Sequence, residues 1–277
     1  INAVLGSKIS IVSPKPQTTR HRILGVHTID GCQIVFVDTP GLHNSAGKAM
    51  NRMMNRTATS ALMDADVVLF MSEAAIWRSA DQDVLQRLQD VNAPTIAVLN
   101  KVDQVSPRNR LLAAIAEMSG RHDFAEIVPL SARRRENLDA LLGILPGYLP
   151  VSPPLFPVDM QTDRSEIFQL GELIREKLTL LLHDELPYGL TVQIERYEAD
   201  EESDRVVVHA VIWVERDTQK GIVIGKSGTM LKKIGSTARK DMISLLDRPV
   251  HLELWVKVKN NWANNEKDLQ SLGSETP

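Results

Sequence analysis

The sequence predicts a two-part chain, an α/β doubly wound sheet followed by a smaller α+β unit. Three observations carry this. Short apolar runs alternate with helical stretches through the first half. Pro146, Pro150, Pro153, Pro154 and Pro157 then interrupt regular structure. Beyond them two strand-like runs stand side by side before helical periodicity returns. A length of 277 residues suits two separate cores. The division expected is 1–148, a linker over 149–164, a second unit over 165–262 and a C-terminal tail over 263–277.

In the first part, residues 34–37, 67–71, 95–99 and 127–130 read as strands, with 82–91, 108–118 and 137–145 as helices. Residues 23–28 and 33–37 flank Asp30-Gly31 and read as an edge hairpin. In the second part the spacing predicts a helix over 166–183, strands over 191–197 and 206–213, a short helical segment, a turn at 225–228, a helix to 246 and a strand over 251–258. Composition excludes several classes. The single cysteine, Cys32, permits neither an internal disulfide nor a thiolate zinc cluster. The histidines show no ligand spacing, and no apolar run approaches the roughly 18 residues of a membrane span.

Two tetrapeptides at strand ends carry the chemistry. Asp38-Thr39-Pro40-Gly41 places a carboxylate where it can face a magnesium ion, with a glycine that lets the backbone approach a γ-phosphate. Asn100-Lys101-Val102-Asp103 ends a second strand on the same face. There Asp103 can accept both N1 and N2 hydrogens of guanine, Asn100 orders the loop, and Lys101 can lay its stem over the ring. Ser131-Ala132-Arg133, after a third strand, is placed to offer backbone N–H groups to the guanine oxygen. Together these select GTP over ATP, because adenine would leave a carboxylate unpaired. In the polar segment 7–21, Thr19, and next to it Thr18, is the residue expected to complete the magnesium shell and sense the γ-phosphate. Leu42 stands where Ras-like enzymes carry a water-orienting glutamine, so hydrolysis needs another group and no catalytic residue is assigned.

The Gly-x-x-x-x-Gly-Lys-Ser/Thr loop that would cradle the phosphates is absent upstream of Asp38. The opening Ile1-Asn2-Ala3-Val4-Leu5-Gly6 reads as the end of the helix that follows such a loop, and the expectation is a sequence that begins inside a longer protein, without its first strand. Gly221 to Lys226 does not replace the loop. Only three residues separate Gly221 from Gly225, all apolar, where four are required.

The second site is Gly225-Lys226-Ser227-Gly228. A Gly-x-x-Gly turn between two helices lets backbone N–H groups and a lysine approach a sugar-phosphate strand. Ile222, Val223 and Ile224 are expected to form an apolar wall beside the bases, with Lys232, Lys233, Arg239 and Lys240 left for phosphates. Residues 220–240 hold six basic side chains and no acid, against a net charge of −3 for the whole chain. Trp213 and Trp255 are expected in the core, and Trp262 is left open.

Both halves together resemble the Era family of bacterial GTPases. The resemblance rests on Gln17-Thr18-Thr19-Arg20-His21, Asp38 to His43, Asn100 to Asp103, Ser131-Ala132, Gly225 to Gly228 and the closing Lys257-Val258-Lys259-Asn260-Asn261-Trp262. It implies a P-loop-NTPase-like sheet, N-terminally truncated here, joined to a type II K-homology domain. It also implies a GTP-hydrolysing switch with GTP and Mg2+ as ligands, whose switch residues are Gln17 to His21 and Asp38 to Leu42. Its partners would be the 3′ end of small-subunit ribosomal RNA and the small ribosomal subunit, whose maturation it would assist. The protein would be monomeric and cytoplasmic, with room for peripheral association with the inner membrane. The alternative reading is an RNA-binding module whose GTPase half is inactive.

Overall fold

A computed structural model describes residues 1–41, 49–200 and 204–273. It opens on a single turn of helix, α1 (Asn2–Leu5), closed by Gly6 at positive φ. α1 lies hard against strand β1 (Ile23–Ile29): a Cβ on Gly25 would stand 2.5 Å from the Ile1 side chain and 2.8 Å from that of Leu5, so a larger residue there would displace them. β1 turns through Asp30 and Gly31, both at positive φ, into antiparallel β2 (Cys32–Asp38), with Ile23 opposite Asp38.

Helix α2 (Ala49–Met63) follows, then β3 (Val68–Glu73), α3 (Ser79–Leu88), β4 (Thr95–Asn100), α4 (Asn109–Ser119), β5 (Glu126–Pro129) and α5 (Leu138–Ile144). β3, β4 and β5 form a parallel sheet in that order. β4 is its centre, buried on both faces. Ile96 and Val98 pack with Leu138 and Leu141 on one side, while Ala97 and Leu99 pack with Leu85 and Met118 on the other, as a period of two dictates.

The sheet expected as one comes in two pieces. Among the described residues β1–β2 and β3–β4–β5 share no ladder, because no described strand occupies the lane between them. Side chains join the pieces instead, Ile34 and Phe36 packing in one cluster with Ile96 and Val98. The two unpaired edges leave Val37 at 40% and Met71 at 55% exposure.

After a coil over 149–164, pinned to the hairpin by Val26 N–H to the Gln161 carbonyl and Leu24 N–H to Asp163, the second unit begins. It runs α6 (Glu166–Leu181), β6 (Leu190–Asp200), β7 (Arg205–Val214), α7 (Asp217–Ile224), α8 (Thr229–Leu246) and β8 (Val250–Val258). Ser165 caps α6 by accepting from the Phe168 N–H. β6 and β7 are antiparallel, β7 and β8 parallel. Leu170, Ile174 and Leu178 of α6 meet Ile234, Ala238 and Met242 of α8 over the sheet.

One expectation is corrected and two points are filled in. The expected tail contains helix α9 (Glu266–Gly273), whose Leu269 and Leu272 join Trp262 in a cluster with Met50 and Met54 of α2. Trp262, left open from sequence, is the buried tryptophan at 2% exposure. Trp255, expected in the core, is 41% exposed because its position on β8 points away from the helices.

Candidate nucleotide and RNA sites

Asn100 ends β4 and Ser131 follows β5, so two parallel strand ends bring their loops together. The Asn100 side-chain oxygen accepts the backbone N–H of Lys101 at 2.8 Å and of Ala132 at 3.0 Å, tying the loops into one unit. Ser131, fully buried, donates its hydroxyl to Asp103 Oδ1 at 2.7 Å. That bond holds the Asp103 carboxyl below its usual range, with the guanidiniums of Arg134 and Arg133 adding to the effect. The carboxylate is therefore charged and aimed, with its remaining lone pairs available to two donors. The ammonium of Lys101 sits 3.1 Å from Glu73 at the end of β3, which leaves its stem for a ring face. Arg133 is exposed on the turn. Sequence reasoning missed Glu73 and Arg134; a strand-end acid is a signal, but nothing in the sequence points it at Lys101.

At the end of β2, Asp38 is half-buried. Ser10 donates to Asp38 Oδ2 at 2.7 Å, and the Thr19 hydroxyl lies near enough to draw the carboxyl's pKa down. Burial nonetheless pushes the Asp38 carboxyl up from its usual range, against the pull of those two hydroxyls. The Thr18 hydroxyl is engaged elsewhere, on the Lys15 carbonyl at 2.7 Å and against the Ser13 hydroxyl at 2.6 Å. Of the two threonines, then, Thr19 stands at the carboxylate. Ser10 was not foreseen, since 28 residues of chain separate it from its partner.

Two neighbours of Thr19 face the other way. Arg20, expected at the nucleotide, is buried and donates through Nη1 to the Leu190 carbonyl at 2.6 Å and through Nη2 to the Pro187 carbonyl at 2.7 Å. His21 packs edge-on to Phe168 with ring centroids 5.5 Å apart, and burial pushes its pKa down to about 4. Both side chains serve the contact with the second unit rather than the carboxylate of Asp38. Gln17, at positive φ, Thr39 and Pro40 flank the site, and Gly41 is exposed. Leu42 and His43 lie outside the described residues.

In the second unit, α7 ends at Gly225 with φ +73°, where a Cβ would stand 2.7 Å from that of Met230. Lys226 and Ser227 lie on the turn that follows, and Lys232, Lys233, Arg239 and Lys240 are exposed along α8. The expected apolar wall is reduced by one member. Val223 is fully buried under the helix, so only Ile222, at 57% exposure, and the partly exposed Ile224 reach the surface.

Two family models match the chain, one described as "50S ribosome-binding GTPase" over residues 1–101 and one as "KH domain" over 185–263. The GTPase Era of Vibrio parahaemolyticus is 48% identical over 273 residues, covering 99% of this chain and 85% of that protein. That of Yersinia enterocolitica is 45% identical, covering 99% and 90%. The chain belongs to the Era family of GTPases. Among solved structures, Era in complex with MgGDPNP and nucleotides 1506–1542 of 16S ribosomal RNA superposes with a TM-score of 0.94 at 39% identity, over 98% of this chain and 92% of that one. Aquifex aeolicus Era bound to GDP and AlF4− superposes with a TM-score of 0.92 at 38% identity, again over 98% and 92%. The Era fold thus spans both units here, the P-loop GTPase half and the K-homology half.

Proposed function

We propose that this protein is a GTP-hydrolysing switch that grips the 3′ end of small-subunit ribosomal RNA and assists maturation of that subunit. One observation supports the nucleotide reading above the rest: Asn100 bonds Ala132 while Ser131 bonds Asp103, so the residues that would read guanine are assembled and oriented by one another. A base carrying two adjacent donors satisfies Asp103; adenine does not.

The residues at Asp38 fit Mg2+. A carboxyl raised by burial gains from a cation, and Thr19 and Ser10 bring further hard oxygens beside it. When bound, the ion would supply charge neutralisation for the β- and γ-phosphates. Asp38 and Thr19 would hold it, and Asn100, Lys101, Asp103, Ser131, Ala132 and Arg133 would hold the base. No Gly-x-x-x-x-Gly-Lys-Ser/Thr loop occurs in these 277 residues, so what the chain itself supplies is the guanine, magnesium and switch part of the site.

On the RNA side, Gly225 to Gly228 would clamp the backbone of a single strand, Ile222 and Ile224 would flank its bases, and Lys232, Lys233, Arg239 and Lys240 would meet phosphates. The choice of RNA is supported by the related crystal structure, in which Era is bound to a 16S ribosomal RNA fragment. The reading divides the chain at 149–164 and carries with it a monomer working in the cytoplasm, with peripheral contact at the inner membrane as a further property. No helix among the described residues is long and apolar enough to cross a membrane.

Filter binding of a 3′ small-subunit RNA fragment tests the clamp. The double variant Lys226→Glu, Ser227→Glu should lose at least about tenfold in affinity through phosphate repulsion while keeping its circular dichroism. Unchanged affinity in a folded double variant would remove the clamp from the account.

A further inference from the structure

The two oxygens of Asp103 face different neighbours. Oδ1 accepts the buried Ser131 hydroxyl at 2.7 Å, while Oδ2 lies 3.8 Å from Nε of Arg134. The turn that carries both partners is closed by its own backbone, with Ser131 and Glu136 exchanging N–H to carbonyl bonds at 3.0 and 3.1 Å. Within it the Arg134 N–H donates to Ser131 Oγ at 3.1 Å. One serine hydroxyl thus links the backbone of Arg134 to the carboxylate of Asp103 and fixes where the arginine side chain starts. The two side chains differ in cover, Asp103 being 6% exposed and Arg134 67%. The anion is held by the fold, and the cation reaches it from the solvent side.

That cation has the chemistry of the expected base. In guanine the N1–H and the N2 amino group are borne on one carbon bonded to three nitrogens, and a guanidinium is the same three-nitrogen carbon with its N–H groups in a plane. Both present paired donors to a carboxylate. An ionised carboxylate offers about four lone-pair sites, and Ser131 takes one of those on Oδ1. A base that uses both oxygens also needs a site on Oδ2, the oxygen beside Arg134. Lys101 shows the opposite arrangement. Its partner Glu73, at 3.1 Å, engages the ammonium tip and leaves the stem to a ring face, so that pair and a bound base are compatible.

We propose that Arg134 is an internal stand-in for guanine, pairing with Asp103 in the nucleotide-free protein and swinging away as the base enters. This rests on the reading of Asp103 as the guanine-binding carboxylate and adds a gate to it. An exposed ion pair shifts an equilibrium only modestly, by roughly two- to fivefold. Apparent affinity falls with the fraction of molecules whose carboxylate is open, so the gate acts on nucleotide entry and leaves the bound state untouched. Charge alone acts the other way, since a cation on the rim draws an anionic nucleotide in.

The test is stopped-flow association and dissociation of fluorescent GDP with the full-length gene product, in about 0.2 M salt to screen long-range attraction. Arg134→Ala should raise the association rate about threefold and leave the dissociation rate within about 1.5-fold. Arg135→Asn removes the same charge from the next residue, whose φ of +56° asparagine tolerates, and should change neither rate. In the Asp103→Asn background, Arg134→Ala should leave the association of fluorescent XDP unchanged, because an amide carries no charge for the guanidinium to pair with. An association rate unmoved or lowered by Arg134→Ala would overturn the stand-in. Faster dissociation would also overturn it, by placing Arg134 on the bound nucleotide, and so would an Arg135→Asn effect as large as that of Arg134→Ala. A preference for GTP over XTP retained by Asp103→Asn would instead defeat the guanine reading itself, a result distinct from any of these.

Discussion

Ser131 holds Asp103 through a 2.7 Å hydrogen bond from a hydroxyl with no exposed surface. The bond crosses from the loop after β5 to the loop after β4, so the carboxylate is fixed by the fold rather than by its own backbone. Ser131→Ala should leave the fold intact and weaken guanine-nucleotide binding about tenfold, the worth of one hydrogen bond to a charged group. Fluorescent-GDP titration of the full-length gene product checks this; an unchanged affinity would mean that Asp103 needs no such support.

At Asp38 function and stability pull apart. Its folded pKa is raised, so ionising it costs stability, and that cost appears as pH rises through the folded value. An amide cannot ionise but can still accept from Ser10. Asp38→Asn should therefore melt higher than the wild type at neutral pH in the absence of Mg2+, while nucleotide binding loses its dependence on Mg2+. Melting curves and titrations with and without the metal give both readouts, and a lower melting temperature would contradict the burial argument.

His21 makes stability fall on the acid side. Its pKa is about 4 when folded, against 6.5 for the free side chain, so the folded protein stays neutral while the unfolded chain takes a proton. The contribution is complete above pH 6.5 and shrinks as pH drops toward 4. At pH 5 the loss should be roughly 2 kcal/mol relative to pH 7. Urea unfolding at the two pH values, with His21→Phe beside the wild type, measures it. Equal losses in the two proteins would show that His21 is not the titrating group.

Much of this was legible in the sequence because it is local. The buried run 95–99 and the hairpin around Asp30-Gly31 follow from apolar patterning and turn chemistry, and the Gly-x-x-Gly turn follows from its two glycines. Helix α2 was missed although Met50, Met54 and Ala58, spaced four apart, mark its buried stripe. The roles of Ser10, Glu73, Arg20 and Trp262 were not legible, because each depends on a partner far along the chain. Arg20 was placed among the switch residues by the resemblance, yet its partners lie 167 and 170 residues away. Burial of Val223 rather than exposure beside the bases reflects helical phase, which a three-residue apolar run does not specify.

The proposed nucleotide assignment turns on Asp103, whose carboxylate would accept from two adjacent donors of guanine. Competition binding of GTP, ATP and XTP to the full-length gene product and to its Asp103→Asn variant tests it most directly. The wild type should prefer GTP over both rivals. The variant should lose GTP and gain XTP, whose oxygen at the altered position suits an amide donor, moving the ratio by at least about a hundredfold. A variant that keeps the wild-type order of preference would contradict the account.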